Sequence, residues 1–141
     1  MCEGLEFEID LMKGRTCMED ILLKTMDFGV RVVEISNYLE YENKKFPLIG
    51  RLLECGTEIG VLMRISEDMP QYRPENCIKA FKLALETEYI LELMVKTSVI
   101  SEKQSKPILA DCRSIKDQLG NMTGNKSSVI VNSKSDKESG K

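Results

Sequence analysis

The stretch Ile21-Leu22-Leu23-Lys24-Thr25-Met26-Asp27-Phe28-Gly29-Val30-Arg31-Val32-Val33-Glu34-Ile35-Ser36-Asn37-Tyr38-Leu39 decides the fold. Ile21, Thr25, Phe28, Val32, Ile35 and Leu39 recur at steps of four and three, the spacing that draws one stripe along an α-helix. Glu19 and Asp20 stand in its first turn, where acids complement the positive end of the helix dipole, and Lys44 and Lys45 stand near its end, where cations do the same. The pattern predicts a helix over about 18–44.

The same rhythm continues outward. Pro47 suits a first helical turn, where no backbone donor is needed. After it, Ile49, Leu52, Gly56, Ile59 and Met63 mark a second helix that ends before Pro70. Asp68 to Pro74 reads as a loop. A third helix opens at Pro74 and runs to about Thr97, with Ile78, Phe81, Leu85, Tyr89 and Leu93 on one side. Ser101 followed by Gln104 fits a capping box for a fourth helix. Ile108, Cys112, Ile115, Leu119 and Met122 continue it, and Pro107 predicts a bend or a late start. Helices of this length joined by short connections run antiparallel to their neighbours, so the expected fold is all-α: an up-down-up-down four-helix bundle over residues 18–122.

Both ends depart from the pattern. Leu5-Glu6-Phe7-Glu8-Ile9-Asp10-Leu11 alternates apolar and acidic residues, the period of a strand. Residues 1–17 therefore read in two ways. They could be a peptide that adds to another protein's sheet edge. Alternatively they are an extension upstream of a true start at Met18, because Lys13-Gly14-Arg15 can be encoded by a purine run like a ribosome-binding sequence. Residues 123–141 are rich in Ser, Lys, Asn and Gly and read as a disordered tail.

Charge and composition narrow the functional classes. The net charge is −3 over 141 residues; residues 123–141 carry +2, which leaves −5 on the rest. A phosphate-binding surface needs a positive field to release counterions, so generic nucleic-acid affinity is disfavoured. There is no histidine, which rules out the Ser-His-Asp and Cys-His nucleophile arrangements. Cys2, Cys17, Cys55, Cys77 and Cys112 never form a C-x-x-C pair and read as reduced thiols used as small core residues. No window has the roughly 18 apolar residues of a membrane span and the N-terminus is unlike a secretory signal, so a cytoplasmic protein is expected. Neither cofactor nor catalytic group is expected.

Three features invite a role. Gly56 and Gly60 share a face of the second helix, where they would let a neighbouring backbone approach closely. Glu88 and Glu92 lie one turn apart in the third helix. A di-metal site there would normally add a Glu-x-x-His motif, so inter-helix ion pairs are the expectation, with Arg51 and Arg64 the first partners to test. Finally, Ile90, Leu91, Leu93, Met94 and Val95 point in nearly every direction around the third helix, more apolar surface than one bundle should hide. With Leu22 and Val33 off the main seam of the first helix, Ile90, Leu91 and Met94 predict an oligomer interface, to which Tyr38 and Tyr41 could add.

Several segments also resemble a known family. Leu52-Leu53-Glu54-Cys55-Gly56-Thr57-Glu58-Ile59-Gly60 resembles the LLRSGTSIG signature of the bacterial "four helix bundle protein" family, also called the ribosomal-RNA intervening-sequence protein family. Leu85 to Leu93 resembles its ETEYWLELL segment. Ile100 to Lys103 and Leu109 to Cys112 fit its last helix, and Met26-Asp27-Phe28 through Tyr38-Leu39 its first, so the likeness spans about residues 19–122. It implies a non-enzymatic bundle that assembles into homopentamers, with no settled role for most members. One distant branch serves diversity-generating retroelements beside a reverse transcriptase and RNA, but those proteins are strongly basic and this body is acidic. Glu54, Cys55 and Glu58 replace Arg, Ser and Ser of the signature, and Val61-Leu62 replaces the Ala-Asn that follows it. On these grounds the chain is expected to be a structural or interaction module with itself or another protein as partner, and a nucleic-acid accessory role is the alternative.

Overall fold

A computed structural model describes residues 15–124. The strand-like segment 5–11 and nearly all of the polar tail lie outside the described residues. Four helices follow one another: α1 (Cys17–Tyr41), α2 (Ile49–Asp68), α3 (Arg73–Lys96) and α4 (Glu102–Met122), with a short 3-10 turn, Pro70–Tyr72, before α3. There is no strand among the described residues, and the all-α bundle expected from the heptad rhythm is the fold observed. No helix among them is long and apolar enough to cross a membrane.

Each helix packs on the next in sequence, and α4 closes back onto α1 less extensively. The direction of packing is legible from side chains. Lys24 reaches Gln118, Arg31 reaches Asp111 and Tyr38 reaches Gln104, so α1 and α4 run antiparallel. Phe28, Val32, Leu52, Ile59, Met63, Leu91, Met94, Ile115 and Leu119 form the centre of the core.

The helix ends have identifiable causes. At α4 the capping box is present: Gln104 N–H donates to Ser101 Oγ, and Ser101 N–H donates to Gln104 Oε1. The helix therefore starts on time, and Pro107 sits inside it rather than delaying it. A second capping box, Thr16 with Glu19, starts α1 at Cys17. The T-x-x-E spacing was legible in the sequence and would have moved the predicted start from residue 18. Residues 15–17 are thus joined to the bundle: Cys17 is buried, and Arg15 donates to the buried Asp20 carboxylate over 2.9 Å. α1 ends at Tyr41, short of the expected 44, because Asn43 turns left-handed (φ 58°) and Lys44 N–H bonds back to Leu39 C=O. Ser98 closes α3 in the same way, with φ 64° and Val99 N–H donating to Met94 C=O.

The third helix is rotated from the expected phase. Cys77, Ala80, Ala84, Thr87, Leu91 and Met94 face the core, whereas Ile78, Leu85 and Tyr89 of the predicted stripe are 46%, 43% and 62% exposed. Both stripes are regular at helical spacing. The small residues win the inside because α3 is wedged between α2 and α4, where alanines, a cysteine and a threonine allow close approach.

Candidate interaction surface

The rotation of α3 settles where the surplus apolar surface lies. Ile90, Leu91 and Met94, expected at an oligomer interface, are 3%, 0% and 0% exposed and belong to the bundle's own core. They are therefore removed from any such interface. Leu22 and Val33 are placed differently: Val33 is exposed, Leu22 is half-buried, and both line one groove.

That groove runs between α1 and α2 and has a volume of about 540 Å³. Leu22, Met26, Val30 and Val33 of α1 form one wall, Val61 and Ile65 of α2 the other, and Glu34, Thr57 and Arg64 edge it. Met26 and Val61 are more than half exposed. These side chains sit outward because the inner positions of both helices are already taken by Ile21, Phe28, Val32, Ile59 and Met63.

Both glycines of α2 lie where it packs on α1. A Cβ at Gly56 would stand 3.0 Å from Val32 Cγ2 and one at Gly60 would stand 3.5 Å from Thr25, so both glycines face α1. Gly60 itself lines the groove. Gly56 lets α2 approach α1 closely at Val32, whereas a Cβ at Gly60 would meet Thr25 at an ordinary contact distance.

The carboxylates of α3 are engaged with α4 rather than α2. Glu88 accepts from Arg113 Nε at 2.7 Å and from Lys116 Nζ at 2.9 Å; Glu92 accepts from Arg113 Nη2 at 2.9 Å. Burial works to raise the Glu88 carboxyl, but the hydrogen bonds from Arg113 and Lys116 outweigh it and hold the group below its ordinary value. Arg51 bonds Glu86 through two nitrogens, 2.6 and 2.8 Å, and Arg64 makes no ion pair among the described residues. The expected pairing of Arg51 and Arg64 with Glu88 and Glu92 is thus corrected. At 3.6 residues per turn, residues 86 and 88 stand about 200° apart, so only Glu86 faces α2.

The described cysteines are buried and free. Burial pushes the Cys112 thiol up to about 12 and the Cys77 thiol up to about 11, which leaves both as inert core residues. Among the described residues no group of three or more Cys, Asp or Glu side chains is placed to hold a metal ion. Among the described residues, uncovered apolar surface thus lies in the α1–α2 groove and along Ile78, Leu85 and Tyr89 of α3.

Comparison with known proteins agrees on the body of the chain. The chain is similar to a protein with unknown function from the S23 ribosomal protein family of Bacteroides thetaiotaomicron, whose crystal structure superposes with a TM-score of 0.71 at 31% identity. The match covers 76% of this chain and 94% of that one. No protein-family profile matches the chain, and no curated protein matches it either.

Proposed function

The chain belongs to the S23 ribosomal protein family, and on that premise we propose that it is a non-enzymatic module that assembles with copies of itself through the α1–α2 groove. The single observation behind this reading is an apolar groove, lined by Met26, Val30, Val33, Val61 and Ile65, left open on the α1–α2 face of the bundle. Monomeric proteins rarely leave contiguous apolar surface of this kind uncovered, and symmetric self-association is the commonest way to cover it. The likeness of residues 52–60 and 85–93 to the four-helix-bundle, or intervening-sequence, family favours a closed ring, with a pentamer as the expected size.

The non-enzymatic part rests on the engagement of the candidate groups. Glu88 and Glu92 are held by Arg113 and Lys116, and the thiols of Cys77 and Cys112 are buried and hard to ionise. A ribosomal association, suggested by the relative's family name, would require a positive field, and the helical body lacks one: residues 17–68 carry net −4 and residues 69–124 net +1. We therefore take protein, and first of all a second copy, as the partner. Val30→Glu places a charge in the groove at a half-exposed position that the monomer tolerates. Sedimentation should show the wild type assembled and this variant dispersed, with unchanged helical circular dichroism. An assembled Val30→Glu protein would remove the groove from the contact.

A further inference from the structure

The groove needs a mate, and the outer face of α3 carries an exposed apolar line of the same length. Ile78, Leu85 and Tyr89 form an exposed apolar line on α3, with half-buried Phe81 beside it. No core position in the bundle uses them. From Ile78 to Tyr89 is eleven residue steps, about 16 Å of helix at 1.5 Å per residue. The α1 wall of the groove, Leu22 to Val33, also spans eleven residue steps and has the same length. An amphipathic helix that lays its outer anchors in a groove between two helices is a recurrent mode of recognition.

The two halves of the bundle differ in the sign of their net charge. Glu34 and Arg64 edge the groove, and neither makes an ion pair among the described residues. On α3, Lys79, Lys82 and Lys96 make no ion pair among the described residues, nor does Glu75, while Glu86, Glu88 and Glu92 are paired within the bundle. Residues 17–68, which include both groove helices, carry net −4, and residues 69–124, which include α3, carry net +1. Opposed net charges of this kind favour the α1–α2 face against the α3 face, and place like charges together when two α1–α2 faces meet.

α1 and α3 lie at diagonal corners of the bundle, since each helix packs chiefly on its sequence neighbours and α4 closes on α1. One molecule cannot seat its own stripe in its own groove. We propose that the α3 stripe Ile78–Leu85–Tyr89 of one copy occupies the α1–α2 groove of the next, giving a head-to-tail contact. This inference rests on the self-assembly proposed above and specifies its geometry. A contact between two different patches is heterologous, and repetition of it closes into a ring or runs on as a filament. A groove-to-groove contact would instead stop at a two-fold dimer.

Tyr89 offers the test, because p-benzoyl-phenylalanine is close to tyrosine in shape and Tyr89 makes no side-chain hydrogen bond among the described residues. The Tyr89→p-benzoyl-phenylalanine protein is first sedimented, then irradiated, and its cross-linked peptides are mapped by mass spectrometry. The proposal expects intermolecular adducts within 22–33 or 57–65 of the neighbour, Met26 foremost. Adducts joining α3 to α3, or an assembled protein with no adduct on the groove, overturn it. Leu85→Glu supplies an independent reading. Head-to-tail contact predicts that it disperses the assembly as Val30→Glu does, and a Leu85→Glu protein that stays assembled contradicts the pairing while leaving self-assembly standing. A monomeric wild type would remove both.

Discussion

Gly56 of α2 lies against Val32 of α1 so closely that a Cβ on the glycine would stand 3.0 Å from Val32 Cγ2. Val32 is fully buried and branched at Cβ, so it has little freedom to yield. Gly60, one turn on, meets Thr25 at 3.5 Å, an ordinary van der Waals distance. The two glycines should thus respond differently to the same change. Gly60→Ala removes the helical cost of glycine and is expected to stabilise the protein by about 0.5–1 kcal/mol. In Gly56→Ala the crowding of Val32 offsets that gain, so the variant should be no more stable than the wild type. Urea unfolding at equal protein concentration compares them.

Ser98 carries a second conformational cost. It closes α3 with φ 64°, where an L side chain crowds its own backbone. Ser98→Gly should raise stability by about 0.5–1 kcal/mol, since glycine adopts this conformation freely at the end of a helix. A lower urea midpoint for this variant would contradict the closing turn described for α3.

The α3–α4 ion pairs predict an acid response. The Glu88 carboxyl is held below its ordinary value in the folded protein. Its contribution is therefore complete above the unfolded carboxyl value, about 4.3, and is lost as pH falls through the lower folded value. Glu88→Gln should cost about 1 kcal/mol near neutrality, discounted because Arg113 is half exposed. The variant should also lose less stability than the wild type when pH is lowered below about 4. Parallel unfolding curves from neutral to acid pH, showing equal losses in both proteins, would contradict the assignment.

The thiols give a readout of packing. Cys17, Cys55, Cys77 and Cys112 are buried. In a Cys2→Ser background, a disulfide reagent at mildly alkaline pH should find no fast thiol in the native protein and all of these after unfolding. Rapid native labelling of Cys112 would show that the α3–α4 seam opens.

Much of the fold was legible because its signals are local. The stripe from Ile21 to Leu39 and the Ser101–Gln104 cap name their elements without reference to neighbours. The phase of α3 was not legible, because Ile78-Leu85-Tyr89 and Ala80-Ala84-Leu91 are both regular stripes. Only the closeness of α2 and α4 decides that the smaller set goes inside. The ion-pair partners of Glu88 and Glu92 followed from that phase and were missed with it. Leu22 and Val33 could be read as off the main seam, but the groove they share with Met26, Val61 and Ile65 exists only once α2 lies on α1. Thr16 was a readable cap that the α1 boundary should have used.

The measurement that bears most directly on self-assembly is the mass of the untagged wild-type protein in solution, by sedimentation equilibrium across a range of micromolar concentrations. The account predicts a single closed species at a whole-number multiple of the 16.0 kDa chain, with five copies expected. A protein that stays at one chain mass throughout that range would contradict it.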